Sequence, residues 1–539
     1  MEENPPVSPT RHVWLLTAAF ALAGGAFAVG APLFQAPDEP PHVDLVRHYA
    51  DHPTAIAGPR LRIRSGVEQA VELVGLPQGG PIPWPATPRP RPAYPRFEGF
   101  PHADADATGC HTSTWTSCQN YHYVHPPTYY ELAGVADRAL GRLSFPSEVL
   151  GLRLLGVLLV APVVPLTYLT GRRVWPGTTG RPLAAATLVA CFAPLAANAA
   201  AVNNDALTLV LAAGAIAAAA AALREPSVEN ALVLGVATGA GLLVKSEFVA
   251  VAAVAALVAI VVARALAHAP VPPPRAGPSR RPRALAAFAG PTLIGSAWWI
   301  RDLVRFHAFS QPGSEILQRV RPGPWNHTGR VSYTVHHLVD LVGRFWGLYG
   351  QSAVEVPRPW RIGLDVAVVL MLASWLAARR WGRPSPVDVR LALLALFPMA
   401  LAAGALHASF TVYRTNGEVR GLLGRYLYPS LPVLAVGAVG AAGTIARRAR
   451  RVRRPRRVPA GFVLSTATVV AATLGLASFV RAAHGFYGTR DTHLLLARAV
   501  SVSAVPSPGR WLAVVGAAWA SCVVAAAVHA GFHRYAARA

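Results

Sequence analysis

Apolar runs of about 18–23 residues recur along the whole chain, the length a helix needs to cross roughly 30 Å of hydrocarbon. They lie at 12–34, 148–170, 183–202, 205–223, 229–245, 247–264, 284–301, 362–379, 390–411, 426–446, 460–481 and 510–532. This pattern predicts an all-α polytopic membrane protein, a bundle of about twelve transmembrane helices. The first run follows a basic residue, Arg11, and resembles a signal peptide. Its length, without a clear small-residue cleavage site, predicts a first transmembrane helix instead.

The polar positions set an orientation. With a cytoplasmic N-terminus, the segments 171–182, 264–283, 379–390 and 446–459 fall on the cytoplasmic side. They carry Arg172-Arg173, Arg280-Arg281-Pro282-Arg283, Arg379-Arg380 and the dense run Arg447-Arg448-Ala449-Arg450-Arg451-Val452-Arg453-Arg454-Pro455-Arg456-Arg457. That is the bias expected of short inside loops. The predicted organisation is a cytoplasmic N-terminus and first helix (1–34), a long extracytoplasmic loop (35–147), helices two to seven (148–301) and a second extracytoplasmic loop (302–361). Helices eight to ten (362–446), a basic cytoplasmic loop (447–459), and the last two helices with the tail (460–539) follow. The first loop is rich in proline and aromatics, as in Pro81-Ile82-Pro83-Trp84-Pro85, and reads as ordered rather than as a linker.

Composition agrees with the hydropathy. Only 14% of the 539 residues are charged and 53% are hydrophobic, against roughly 25% charged in soluble domains. The net charge of +24 rests almost wholly on arginine, with Lys245 the single lysine. In a soluble protein that balance would point to nucleic acid; between apolar spans it points to anionic lipid and the inside-positive bias. Cys191 and Cys522 sit in apolar runs as small hydrophobes. Cys110 and Cys118 flank a polar stretch containing His111. A local disulfide is the expectation for an outside loop, ahead of a Cys/His metal site, which lacks paired CxxC spacing.

Five polar clusters stand at predicted outer ends of spans. Ala36-Pro37-Asp38-Glu39-Pro40-Pro41-His42 places two adjacent carboxylates at a membrane boundary, where they are costly unless paired or used. They could deprotonate a hydroxyl or bind a cation, or form a solvated turn capping a helix. Tyr121-His122-Tyr123-Val124-His125-Pro126-Pro127-Thr128-Tyr129-Tyr130 marks the return of the first loop. An aromatic belt explains its tyrosines, and His125 could orient a phosphate or carboxylate. Val202-Asn203-Asn204-Asp205 either caps a helix or turns Asp205 into the bundle. Lys245-Ser246-Glu247 either forms a local pair or offers Lys245 to a phosphate. Finally, Gly424-Arg425-Tyr426-Leu427-Tyr428-Pro429, with Arg420 upstream, offers a guanidinium for phosphate or a snorkelling side chain.

In this order, these motifs resemble the GT-C superfamily of membrane glycosyltransferases, including the protein O-mannosyltransferase and aminoarabinose-transferase branches. The likeness is greatest to a bacterial branch with a Pro-Asp-Glu-Pro-x-His start. Trp298-Trp299-Ile300-Arg301-Asp302 and Phe345-Trp346-Gly347-Leu348-Tyr349-Gly350 extend it over about residues 12–440. The resemblance implies a GT-C-like bundle in a bacterial inner membrane with its active site outside. It implies inverting transfer of a sugar from a polyprenyl-phosphate donor to an envelope glycan, lipid or protein. A first-loop carboxylate would act as base, Asp38 by best match and Glu39 second. His42, His125, Asp205, Lys245, Arg420, Arg425 and Tyr426 would surround the lipid phosphate. Some relatives use a divalent metal and others do not, and no second acidic cluster near the first loop commits this chain to one. The competing readings are a lipid or solute transporter or flippase, which should show internal repeats and broken mid-membrane helices, and a non-catalytic envelope-assembly scaffold.

Overall fold

The computed structural model describes residues 9–75 except 37, 59 and 60, then 82–85, 87, 90, 120–268, 280–308, 329–350, 354–379, 385–417, 419, 421–452 and 460–532. About four in five of these are helical. Two two-residue strands, Leu348–Tyr349 and Val354–Glu355, pair antiparallel with Leu348 opposite Glu355.

Among the described residues, eight helices are long and apolar enough to cross a membrane: Pro9–Gly30, Phe145–Val174, Asp205–Arg224, Phe248–His268, Pro386–Arg414, Gly424–Ala446, Phe462–Tyr487 and Pro508–Ala530. The chain is a multi-pass membrane protein. The count of twelve is not reached by this measure: the run at 362–379 forms the helix Arg358–Arg379, which is not among the eight, and three other runs fall short for local reasons. The run at 183–202 is two helices, Gly180–Ala190 and Ala193–Ala199, bent by 57°; Pro194 in the first turn of the second cannot continue the first. The run at 229–245 ends at Leu242 after 15 helical residues, about 23 Å of rise. The run at 284–301 divides at Ser296 between Arg280–Gly295 and Ala297–Phe306.

Small residues set how closely the helices pack. Asp205–Arg224 buries Ala206, Ala212, Ala213, Ala215, Ala219, Ala220 and Ala222 completely, which lets neighbouring backbones approach without side-chain bulk between them. Val228–Leu242 crosses Arg280–Gly295 with Gly239 against Gly295, where a Cβ on Gly295 would collide with the Gly239 backbone.

Above one end of the bundle lies a layer built from the first loop: Glu39–Asp51, Ser65–Val74, the 3-10 turn Tyr121–Val124 and Thr128–Leu140. Ion pairs fix it. Arg47 donates to Asp137 and Glu148, each at 3.2 Å. Asn120 donates to Asp44 and to the Pro41 carbonyl, both at 2.8 Å. A strap from the same loop reaches the last helices: Trp84 Nε1 donates to the Phe486 carbonyl at 2.9 Å, and Arg498 donates to the carbonyls of Tyr487 and Pro85.

Candidate functional site

The first span ends at Gly30, and a short turn delivers Asp38 to the start of the next helix. Pro40 and Pro41 occupy the first helical positions, where the missing N–H groups have no intrahelical partner to lose. Asp38 itself is left-handed, with φ 60° and ψ 12°, a region that aspartate tolerates better than most side chains. Its carboxylate does not cap the helix. Instead Oδ1 accepts from the Tyr121 hydroxyl at 2.7 Å and Oδ2 from Arg425 Nη2 at 2.9 Å. About a third of the side chain (35%) stays open to solvent.

Glu39 goes the other way. It is fully buried against Arg153, which is also fully buried, in a bidentate pair at 2.8 and 2.6 Å. Glu39 further accepts the Val202 amide, while Arg153 donates to the carbonyls of Ala28, Ala31 and Pro32 at the end of the first span. The two adjacent carboxylates thus occupy different environments: Glu39 is enclosed and saturated, Asp38 is open.

From Asp38 a line of charges runs inward. Arg425 Nε lies 3.7 Å from Asp205 Oδ2, Lys245 Nζ donates to Asp205 Oδ1 at 2.6 Å, and Lys245 lies 3.0 Å from Glu247. Tyr426 presents its ring to both cations, 5.3 Å from Lys245 Nζ and 5.8 Å from the Arg425 guanidinium carbon. Three different breaks in helix bring these groups together. Asp205 opens its helix, Lys245 sits in the turn after Leu242, and Arg425 lies in the 3-10 turn Gly424–Ser430. That turn presses so close to the helix Arg330–Phe345 that a Cβ on Gly424 would meet the Arg344–Phe345 backbone. Burial opposes the charge on Lys245, but Asp205 and Glu247 outweigh it and raise its pKa above the ordinary lysine value.

His42, His122 and His125 form a column beside Asp38, with ring centres 3.8 and 5.4 Å apart. His42 Nδ1 hydrogen-bonds the Tyr130 hydroxyl at 2.9 Å. Desolvation, reinforced by neighbouring positive charge, holds all three below the ordinary imidazole range, His125 down to about 3. They are therefore neutral at pH 7, and His125 can offer a phosphate a hydrogen bond but not a fixed charge. Asp38 is also lowered: desolvation pushes it up, but Arg425 and the Tyr121 hydroxyl pull it down further.

The signs give a stability prediction. An unfolded imidazole takes up a proton near pH 6.5, whereas these folded ones do not. Stability should fall as pH drops from about 6.5 toward 4, while Asp38, with its depressed value, stays ionised and keeps its contribution through that window. Unfolding midpoints in lipid nanodiscs at pH 7.5, 6 and 5 test this. His122→Phe should flatten the slope; an unchanged slope in that variant would remove the column as its source.

The structure thus gathers Asp38, His42, His125, Asp205, Lys245, Arg425 and Tyr426 at one end of the bundle and separates Glu39 from them. Arg420, Cys110, Cys118 and His111 lie outside the described residues. Cys191 and Cys522 are free thiols. Sequence reasoning passed over Arg153, although a lone arginine inside an apolar helix is itself a signal, and it read Tyr121 only as part of a belt. The donor set around Asp38 and Asp205, hydroxyl, guanidinium and ammonium, does not fit a divalent cation.

The sequence profile of one family, described as Predicted membrane protein (DUF2142), matches residues 20–434. The chain belongs to that family. The matched part of this DUF2142 chain contains the whole line from Asp38 to Arg425 and stops before the helices that receive Trp84. No curated protein matches the sequence. Among solved structures, the chain is similar to ArnT from Cupriavidus metallidurans bound to undecaprenyl phosphate, at 14% identity and TM-score 0.44, covering 96% of this chain and 77% of that one. It is also similar to the Archaeoglobus fulgidus oligosaccharyltransferase tethered to an acceptor peptide, at 13% identity and TM-score 0.42. There the coverage is 89% of this chain and 55% of that one, little more than half its length.

Proposed function

We propose that this chain is a GT-C-type glycosyltransferase of the bacterial inner membrane. It takes a sugar from a polyprenyl-phosphate donor and passes it to a cell-envelope acceptor on the extracytoplasmic face. One observation carries the reading. The Arg425 side chain is only 11% exposed beside an open carboxylate, and its Nε and Nη1 donors make no hydrogen bond, Nε reaching Asp205 only at 3.7 Å. Unpaired buried donors cost about 1–3 kcal/mol each, more when charged, so a guanidinium left this way suits an anionic ligand. Lys245 and Tyr426 complete one side of the small cavity that Arg425 lines with Asp205 and Glu247.

In this mechanism the lipid phosphate takes the spare donors of Arg425 and the ammonium of Lys245. Asp38, oriented by Tyr121, accepts the proton of the acceptor hydroxyl. The freed oxygen attacks the anomeric carbon from the face opposite the phosphate, the sugar–phosphate C–O bond breaks, and the electron pair leaves with the lipid phosphate. The cations beside it stabilise that leaving charge. Configuration at the anomeric carbon inverts. The polar groups meeting at one end of the bundle, rather than at mid-span, support this over a transport path. The arginine-rich segments expected on the cytoplasmic side support an outside position for that end.

The test is release of free polyprenyl phosphate from a panel of polyprenyl-phosphate sugars in proteoliposomes. Consumption of at least one donor is expected. Movement of lipid between leaflets without consumption of any donor would support the flippase reading; binding with neither would support the scaffold. Lys245→Met should weaken binding of short-chain polyprenyl phosphate about ten- to a hundredfold, the worth of one charge-assisted hydrogen bond. Unchanged affinity by titration in nanodiscs would remove Lys245 from the phosphate site.

A further inference from the structure

The helix Arg330–Phe345 carries three side chains that the transferase reading does not use: His336, His337 and Asp340. One ligand atom from each lies within 4.8 Å of the others. Around a tetrahedral ion with bonds near 2.1 Å, ligand atoms stand about 3.4 Å apart. The three therefore need to close by little more than an ångström, and rotation of the exposed His336 and Asp340 side chains accomplishes that. Two of the three are already in contact, with His337 Nδ1 3.0 Å from Asp340 Oδ2. The His336 and His337 rings stand 4.9 Å apart and nearly perpendicular, at 87°.

His337 is held from behind. Its ring packs 4.3 Å from that of Tyr333, which is buried, bonds the Ser409 hydroxyl at 2.8 Å and stacks near Tyr413. Val331, Val335, Leu338 and Val339 are exposed and, at helical spacing, share one stripe. His336 and Asp340 lie on the flank between that stripe and the buried Tyr333, and both are exposed.

We propose that His336, His337 and Asp340 form a site for a divalent transition-metal ion of the zinc type. Two imidazoles and one carboxylate are a donor set such ions favour over calcium or magnesium, and three protein ligands leave a position open to water or an anion. The site sits about one to two turns before the point where this helix supports the turn bearing Arg425. There Arg344 donates to the Leu422 carbonyl and the Phe345 carbonyl accepts the Tyr428 hydroxyl. A bound ion clips the outer turns of that helix together, and so stiffens the support of Arg425 without touching substrate.

The test uses full-length chain in nanodiscs, with any affinity-tag histidines removed and the protein stripped with a chelator. Zinc is titrated in competition with a chromophoric chelator, and cobalt is added to read ligand-field absorption. The native chain should take up one ion, with a cobalt spectrum of low coordination number. His336→Gln and Asp340→Asn should each weaken zinc at least tenfold. His268→Gln, an exposed histidine on another helix, should change nothing. Zinc should raise the unfolding midpoint of the native chain and leave that of Asp340→Asn unmoved. No competitive uptake, or uptake unchanged in both ligand variants, would overturn the site.

Discussion

Asp38→Asn should lower the rate of sugar transfer by about a hundred- to ten-thousandfold, the usual contribution of a positioned general base. That range corresponds to roughly 3–5.5 kcal/mol in activation free energy. The substitution is nearly isosteric, and its carbonyl oxygen can still accept from Tyr121 or Arg425, so the fold should survive. Its effect on the donor should run the other way. In the native chain Asp38 engages Arg425 Nη2 at 2.9 Å, in competition with an incoming phosphate. An amide competes less, so lipid phosphate should bind equally well or more tightly. Single-turnover transfer and lipid titration on the same nanodisc preparation separate the two effects. Loss of both together would make Asp38 a structural support; transfer at the native rate would place the base elsewhere.

Glu39→Gln should be the most destabilising of the conservative carboxylate substitutions, by about 3–5 kcal/mol. The partner it strands, Arg153, is wholly buried, and an uncompensated charge there has no water to turn to. Arg153→Met should cost a similar amount. It also removes the donors to Ala28, Ala31 and Pro32, carbonyls that the end of a helix otherwise leaves unsatisfied. Unfolding midpoints and yield of folded protein read this directly. The contrast with Asp38→Asn is diagnostic: Glu39→Gln should lower stability and leave turnover per folded molecule far less affected. A Glu39→Gln chain of native stability and no activity would reverse the assignment of the two carboxylates.

Much of this arrangement was legible in the sequence, and the reasons it was only partly so are physical. The long spans were legible because hydrocarbon thickness fixes their length; Pro9–Gly30 and Asp205–Arg224 fall where the apolar runs lie. The broken elements were not, because a hydropathy run of 20 residues looks the same whether one helix carries it or two bent at Cys191–Phe192. Asp38, Asp205, Lys245 and Arg425 each stood out as polar groups at span ends. Their convergence did not, since it depends on the packing of elements between 40 and 387 residues apart in the chain. The division of labour between Asp38 and Glu39 was equally hidden. It is decided by Arg153, over a hundred residues away, whose own signal was a lone arginine inside an apolar helix. The column of His42, His122 and His125 needs the first loop to fold back on the helix after Asp38, which no local pattern announces.

The central claim is that a lipid phosphate sits on Arg425 and Lys245 within reach of Asp38. The measurement that tests it most directly is a cryo-electron microscopy map of the chain in nanodiscs with a short-chain polyprenyl phosphate. The account predicts phosphate density against the Arg425 guanidinium and the Lys245 ammonium, with Asp38 facing the far side of the phosphate oxygen that would carry the sugar. Head-group density at the opposite end of the bundle, or none at Arg425 under saturating lipid, would contradict it.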